Sequence, residues 1–142
     1  MEAKSTTKPT IYIGIDPGVN TGLAYWCKAD KNLQLETKSL HRAFEWVKNF
    51  SLSGDCLVRI EDARLRKYFG NSGREKLQGA GSIKRDCKAW EDFLTDMNIK
   101  FELVSPKQKG AKVTADYFKK LTGYNKKSSQ HARDAGLLVF GL

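Results

Sequence analysis

The sequence predicts an α/β fold built on a sheet of mixed strand directions. Three observations carry this. Two short β-rich runs each end on a carboxylate, IYIGID at residues 11–16 and CLVRIE at residues 56–61. Turn residues separate apolar runs between residues 11 and 40. From residue 41 onward, helical and strand periodicities alternate.

In chain order, residues 11–16 read as the first strand. Pro17-Gly18 and Asn20-Thr21-Gly22 supply turn chemistry, and residues 23–28 resume an apolar run, so the pair reads as a hairpin. Residues 33–40 set Leu33, Leu35, Thr37 and Ser39 against polar neighbours, as a half-exposed strand does. Residues 41–50 carry Ala43, Phe44, Val47 and Phe50 at helical spacing. After CLVRIE, residues 64–73 are basic, aromatic and glycine-bearing, and read as a loop. Residues 74–97 read mostly as helix, with Ile83, Cys87, Trp90, Phe93 and Leu94 on one stripe; Gly79 and Gly81 weaken its start. Residues 101–104 form another strand. Pro106 opens a basic segment, residues 113–121 are helical and stopped by Gly123, and Ser128 or Ser129 caps a last helix running toward Leu142. The order is β-β-β-α-β-α-β-α-α, with no repeats or linkers.

The 142 residues fit one domain, and 40% hydrophobic content is enough for a core. Residues 1–10 (MEAKSTTKPT) have no apolar run and are expected to be a flexible tail rather than a signal peptide, leaving 11–142 as the folded domain. No apolar stretch is long enough to span a bilayer, and a cytoplasmic location is expected. Cys27, Cys56 and Cys87 are odd in number and widely spaced, which argues against a disulfide framework or a zinc site. The formal charge of +9 favours a polyanionic partner. Nucleic acid stands ahead of membrane, because no basic amphipathic helix with bulky apolar anchors stands out.

Asp16 and Glu61 fall at the C-terminal ends of two strands, the edge where open α/β sheets bind ligands. Adjacent parallel strands lie about 4.8 Å apart, so the two carboxylates would repel unless a cation lay between them, and hard oxygen donors suit Mg²⁺ or Mn²⁺. The alternative is that Asp16 opens a turn and Glu61 ends a strand in solvent. Asp62 competes for the role, but alternation along Leu57, Arg59 and Glu61 puts Glu61 and Asp62 on opposite sides. His131 and Asp134, three apart on the last helix, share a face. The apolar residues that follow mean that Asp134 needs a partner or a metal; otherwise it is a solvated charge.

GIDPGVNTGLAYW, LVRIE, GAGSIKRDCKAWEDFL, VSPKQKGAK and HARDAGLLV, taken in this order, resemble the RuvC family of Holliday-junction resolvases over most of residues 11–142. The short chain and the HARDA form resemble phage-encoded members, which would place the protein in a host cytoplasm. The resemblance implies an RNase H-like fold, with a mixed five-stranded sheet flanked by helices. It also implies a homodimer and two divalent metals per site, Mg²⁺ with Mn²⁺ also supporting activity. It maps the catalytic acids onto Asp16, Glu61 and Asp134. The remaining metal-site position is His131, as a ligand or as a residue that orients water. The expected reaction is two-metal hydrolysis of a phosphodiester in branched DNA. Many relatives carry an aromatic three residues after the strand glutamate; here Arg64 stands there, and Tyr68 and Phe69 follow.

Lys107, Lys109 and Lys112 are expected to contact phosphates near the cut, where a lysine could stabilise charge developing at the scissile group, and the resemblance implies Lys109 or Lys112 for that role. Arg64, Arg66, Lys67, Arg74, Lys84 and Arg85, with Tyr68 and Phe69, are expected to follow the DNA. Three other readings compete. One is a DNA-structure-binding module without useful cleavage. Another is an RNase H-like nuclease acting on forks or RNA–DNA hybrids. The third is an actin-like ATPase domain, whose second lobe 142 residues cannot supply.

Overall fold

The computed structural model describes residues 9–52, 54–65, 74–106 and 113–142, with backbone only for 74–80. The elements are β1 (Ile11–Asp16), β2 (Asn20–Cys27), β3 (Asn32–Ser39), α1 (Leu40–Ser51), β4 (Cys56–Glu61), α2 (Arg74–Asp96), β5 (Phe101–Val104), α3 (Ala115–Thr122) and α4 (Gln130–Val139), with a 3₁₀ turn at Ala63–Leu65. The five strands lie in the order β3-β2-β1-β4-β5. β1, β2 and β3 form an antiparallel meander, and β4 and β5 continue it parallel to β1. This is the mixed sheet and the element order that the sequence predicts.

Alternation along the strands splits the core into two layers. Ile13, Ile15, Leu23, Val58 and Ile60 face α1 and α2, and pack on Ala43, Trp46, Val47, Trp90 and Leu94. Tyr12, Ala24, Trp26 and Leu35 face the other way, onto Phe118 of α3 and Ala132, Ala135 and Val139 of α4. Both faces of the sheet are therefore covered. The stripe expected on α2 is core at Cys87, Trp90 and Leu94, but Ile83 is 39% exposed.

One local expectation fails. Asn20-Thr21-Gly22 is not a turn but the first three residues of β2. Pro17-Gly18-Val19 makes the whole connection, tightened by the Thr21 hydroxyl donating to Gly18 O at 2.8 Å. Gly22 has a packing purpose instead. A Cβ there would meet Ala132 N at 2.8 Å and the His131 carbonyl closer still. Gly14 serves likewise, since a Cβ there would strike the Ala135 carbonyl. These two glycines, both on the α4 side of the sheet, let α4 lie almost directly on β1 and β2.

The ends of the late helices follow ordinary capping chemistry. Thr114 caps α3 by accepting from Tyr117 N, and Gly123 ends it in the left-handed region at φ 79°. Ser129, rather than Ser128, caps α4 by accepting from Ala132 N at 3.0 Å. Its hydroxyl also contacts that of Thr37 on β3. Arg133 fastens the same end, donating to Val113 O at 2.9 Å and Ser128 O at 2.7 Å.

Candidate active site

β1 and β4 run parallel with Ile15 opposite Ile60. Asp16 and Glu61 each come one residue later, so they leave adjacent strands at the same level, about 4.8 Å apart in backbone. Because Ile15 and Ile60 face α1 and α2, their successors are set toward α4. α4 begins at that same sheet edge. Gly22, the partner of Asp16 in the β1–β2 ladder, lies directly beneath His131. The His131 ring then meets Asp16, with Nδ1 2.9 Å from Oδ2. A carboxylate only accepts, so Nδ1 carries the hydrogen and Nε2 is the ring's outward nitrogen.

Asp134 is placed by a second contact. Arg59 of β4 donates from Nη1 to Leu138 O at 2.8 Å. Glu61 lies two residues along β4 from Arg59, about 6.6 Å at strand rise. Asp134 lies one helical turn from Leu138, about 6 Å. Both steps lead to the same edge, which sets Asp134 level with Glu61. Gln130 Nε2 donates to Asp134 Oδ1 at 3.0 Å. The sequence-predicted quartet of Asp16, Glu61, His131 and Asp134 is thus brought to one edge from three elements. Among the described residues, no three His, Cys, Asp or Glu side chains draw together tightly enough to hold an ion. The three carboxylates are nonetheless the donors a hard divalent cation takes, with the imidazole a softer companion.

Asp62 has a different task. It is 1% exposed and points away from α4. Arg64 encloses it, with the backbone N 2.9 Å from Oδ1, Nε 2.8 Å from Oδ1 and Nη2 2.6 Å from Oδ2. Burial pushes this carboxyl up, but the Arg64 hydrogen bonds and charge outweigh it and hold it below the usual carboxylate range. Glu91 on α2 takes the other side of the guanidinium at 3.5 Å. Arg64 was expected to follow DNA. Its guanidinium is instead committed to closing the turn after Glu61, because a buried carboxylate requires a charged partner. That commitment also separates the two neighbouring acids, Asp62 to the lock and Glu61 to the open edge.

Of the other expected DNA contacts, Lys84 and Arg85 are exposed on α2, where Arg85 Nη2 lies 3.2 Å from Ser82 Oγ. Arg74 opens that helix. Arg66, Lys67, Tyr68, Phe69, Lys107, Lys109 and Lys112 lie outside the described residues, as does the tail over 1–8. Cys27, Cys56 and Cys87 are all free thiols, and no helix among the described residues is long and apolar enough to cross a membrane. The sequence reading missed the Asp62–Arg64 lock, the Gln130–Asp134 bond and the Arg133 clamp. The first had a visible signal in the D-x-R spacing at residues 62–64.

No protein-family model matches the chain, and no curated protein matches it by sequence. Solved structures do match. One is T. thermophilus RuvC in complex with a Holliday junction substrate, at a TM-score of 0.59 and 18% identity, over 90% of this chain and 89% of that one. At that identity the likeness speaks to architecture: a mixed five-stranded sheet with four helices, joined in this order, is the RNase H-like fold as RuvC has it.

Proposed function

We propose that this protein is a metal-dependent endodeoxyribonuclease that cuts four-way junctions and related branched DNA. The observation that carries the reading is the register. Asp16 and Glu61 end adjacent parallel strands at one level, under the helix that bears His131 and Asp134. In this reading Asp16, Glu61 and Asp134 hold the cations. Mg²⁺ is the expected ion, two per site, with Mn²⁺ also active. Bound there, they would supply activation of water and neutralisation of charge on the leaving 3′ oxygen. His131 donates from Nδ1 to Asp16 and so fixes the direction of that carboxylate, the usual task of an outer partner in a metal site. Its Nε2 stays available as a ligand or to orient water. Gln130 holds Asp134 in the same way.

The charge of +9 and the sheet-edge position suit a phosphate backbone as substrate. A four-way junction offers two equivalent strands, and a homodimer with twofold symmetry would present one site to each. Lys109 or Lys112 would stabilise charge at the scissile phosphate, and the short chain with its HARDA motif fits a phage-type member. The test is cleavage of a labelled four-way junction with Mg²⁺, Mn²⁺, Ca²⁺ or EDTA, against flap, fork and RNA–DNA hybrid competitors. Paired nicks that need Mg²⁺ or Mn²⁺ and vanish in Asp16→Asn, Glu61→Gln and Asp134→Asn are expected. Tight junction binding without metal-dependent scission would leave only a DNA-structure-binding module.

A further inference from the structure

A second charged surface lies on the other flank of the candidate site, where the sequence reading assigned nothing. Between Asp116 and Asp134 the chain carries Lys119, Lys120, Lys126, Lys127 and Arg133 without a single acid. Arg133 is turned inward by its carbonyl partners. The four lysines are exposed, and among the described residues none is ion-paired. Asp116 lies one turn before Lys119 and Lys120 on α3, but no acid stands in the chain from Lys120 to Arg133, so Lys126 and Lys127 above all keep their charge available to an external anion.

Their position ties them to the site. Lys127 comes two residues before Ser129, whose hydroxyl contacts Thr37 on β3. Thr37 pairs with Gly22 of β2, and Gly22 pairs with Asp16. Two strand spacings, about 10 Å, therefore separate the anchor of this segment from Asp16. At a rise of about 3.4 Å per nucleotide, a strand passing over Asp16 reaches that anchor within about three phosphates. From there the segment runs back through Gly123 to Lys119 and Lys120 in the last turn of α3.

We infer that residues 119–127 form a phosphate-contacting track for the DNA arm leaving the site on the β3 side, with Lys126 and Lys127 its nearest contacts. The inference rests on the nuclease reading above for why a strand crosses Asp16. The contact is with backbone charge, so it carries no base sequence. An anionic membrane is the rival partner. The lysines' place beside the acidic edge favours DNA, and the exposed apolar groups on α3, Tyr117 and Leu121, are too few to anchor an eight-residue helix in lipid.

The experiment measures binding of the full chain to a four-way junction and to a linear duplex in Ca²⁺, from 50 to 200 mM salt. It compares the parent with K126A/K127A and K119A/K120A. Loss of two phosphate contacts shallows the log–log salt slope by about 1.8. K126A/K127A is expected to show that change on both DNAs, with unaltered melting temperature, and K119A/K120A a change of the same sign. A K126A/K127A slope equal to the parental one overturns the track. So does loss of binding to phosphatidylserine vesicles with DNA binding intact. A parent that binds duplex and junction alike, with the lysine effect retained, removes the junction reading and leaves the track standing. A parent that binds neither DNA removes both.

Discussion

Replacing Gly22 with alanine tests the close seating of α4 that brings His131 to Asp16. Glycine to alanine in a strand removes unfolded-state freedom and, where space allows, stabilises by about 0.4–1 kcal/mol. Here space is absent. The new methyl would sit 2.8 Å from Ala132 N and nearer to the His131 carbonyl, whereas ordinary Cβ contacts begin near 3.4 Å. Those neighbours are helix backbone and cannot turn aside as a flexible side chain would, so α4 must lift or β2 must bow. Overpacking of this kind costs about 1–3 kcal/mol, and a rigid obstacle argues for the upper end. The net expectation is a loss of roughly 2 kcal/mol. For a chain of this size it lowers Tm by about 6–8 °C. Lifting α4 also parts His131 and Asp134 from the strand ends, so cleavage should fall more steeply than junction binding. Gly81→Ala is the control, because a Cβ there meets nothing within 4 Å. In a helix interior it should stabilise by about 0.5–1 kcal/mol. Thermal unfolding by circular dichroism and single-turnover cleavage read both. A Gly22→Ala protein as stable as the parent, with parental cleavage, refutes the argument.

Arg64→Ala should cost about 3 kcal/mol, since it strands a fully buried carboxylate. The folded Asp62 carboxyl lies below its unfolded value of about 3.9, so its stabilisation is present above that pH and is lost as pH falls through the folded value. Removing Arg64 therefore moves acid unfolding to higher pH; an acid midpoint that stays put or falls would contradict the lock. Glu61→Gln should abolish cleavage at parental Tm, and Asp62→Asn should lower Tm while a measurable rate survives; the reverse pattern would mean that the register assignment is wrong. Burial pushes the Cys56 thiol up to about 12 and, as the largest influence, the Cys87 thiol up to about 11. Neither should be alkylated by iodoacetamide at pH 8 in the native protein, and rapid modification of Cys87 by mass spectrometry would count against its packed position.

The strands and helices were legible because each carries its period in its own residues. IYIGID and CLVRIE are short, β-rich and end on acids, and α1 repeats its apolar residues at helical spacing. What could not be read locally is what depends on a distant partner. Asn20-Thr21-Gly22 has the composition of a turn, and only α4, more than a hundred residues later, makes its glycine a packing residue. Arg64 resembles its basic neighbours in sequence, yet the buried Asp62 claims it. Glu61 and Asp62 were separable by alternation alone, because the pleat sends neighbours to opposite faces. Ile83 shares the helical stripe of Cys87, Trp90 and Leu94, yet at 39% exposed it is not core, and spacing alone does not say how far along a helix the burial extends.

The Asp16–His131 contact joins residues 115 positions apart. Contacts of such separation form late, after the loop-closure cost between them has been met. During synthesis, the strand acids Asp16 and Glu61 emerge early, but the helix that completes their surroundings leaves the ribosome only after residue 139. A nascent chain thus carries half of the acidic edge with nothing above it, and its second core layer still lacks Ala132, Ala135 and Val139. On the proposed nuclease reading, competence for cleavage and completion of the fold coincide, so a chain cut short before α4 is expected to be inactive as well as unstable.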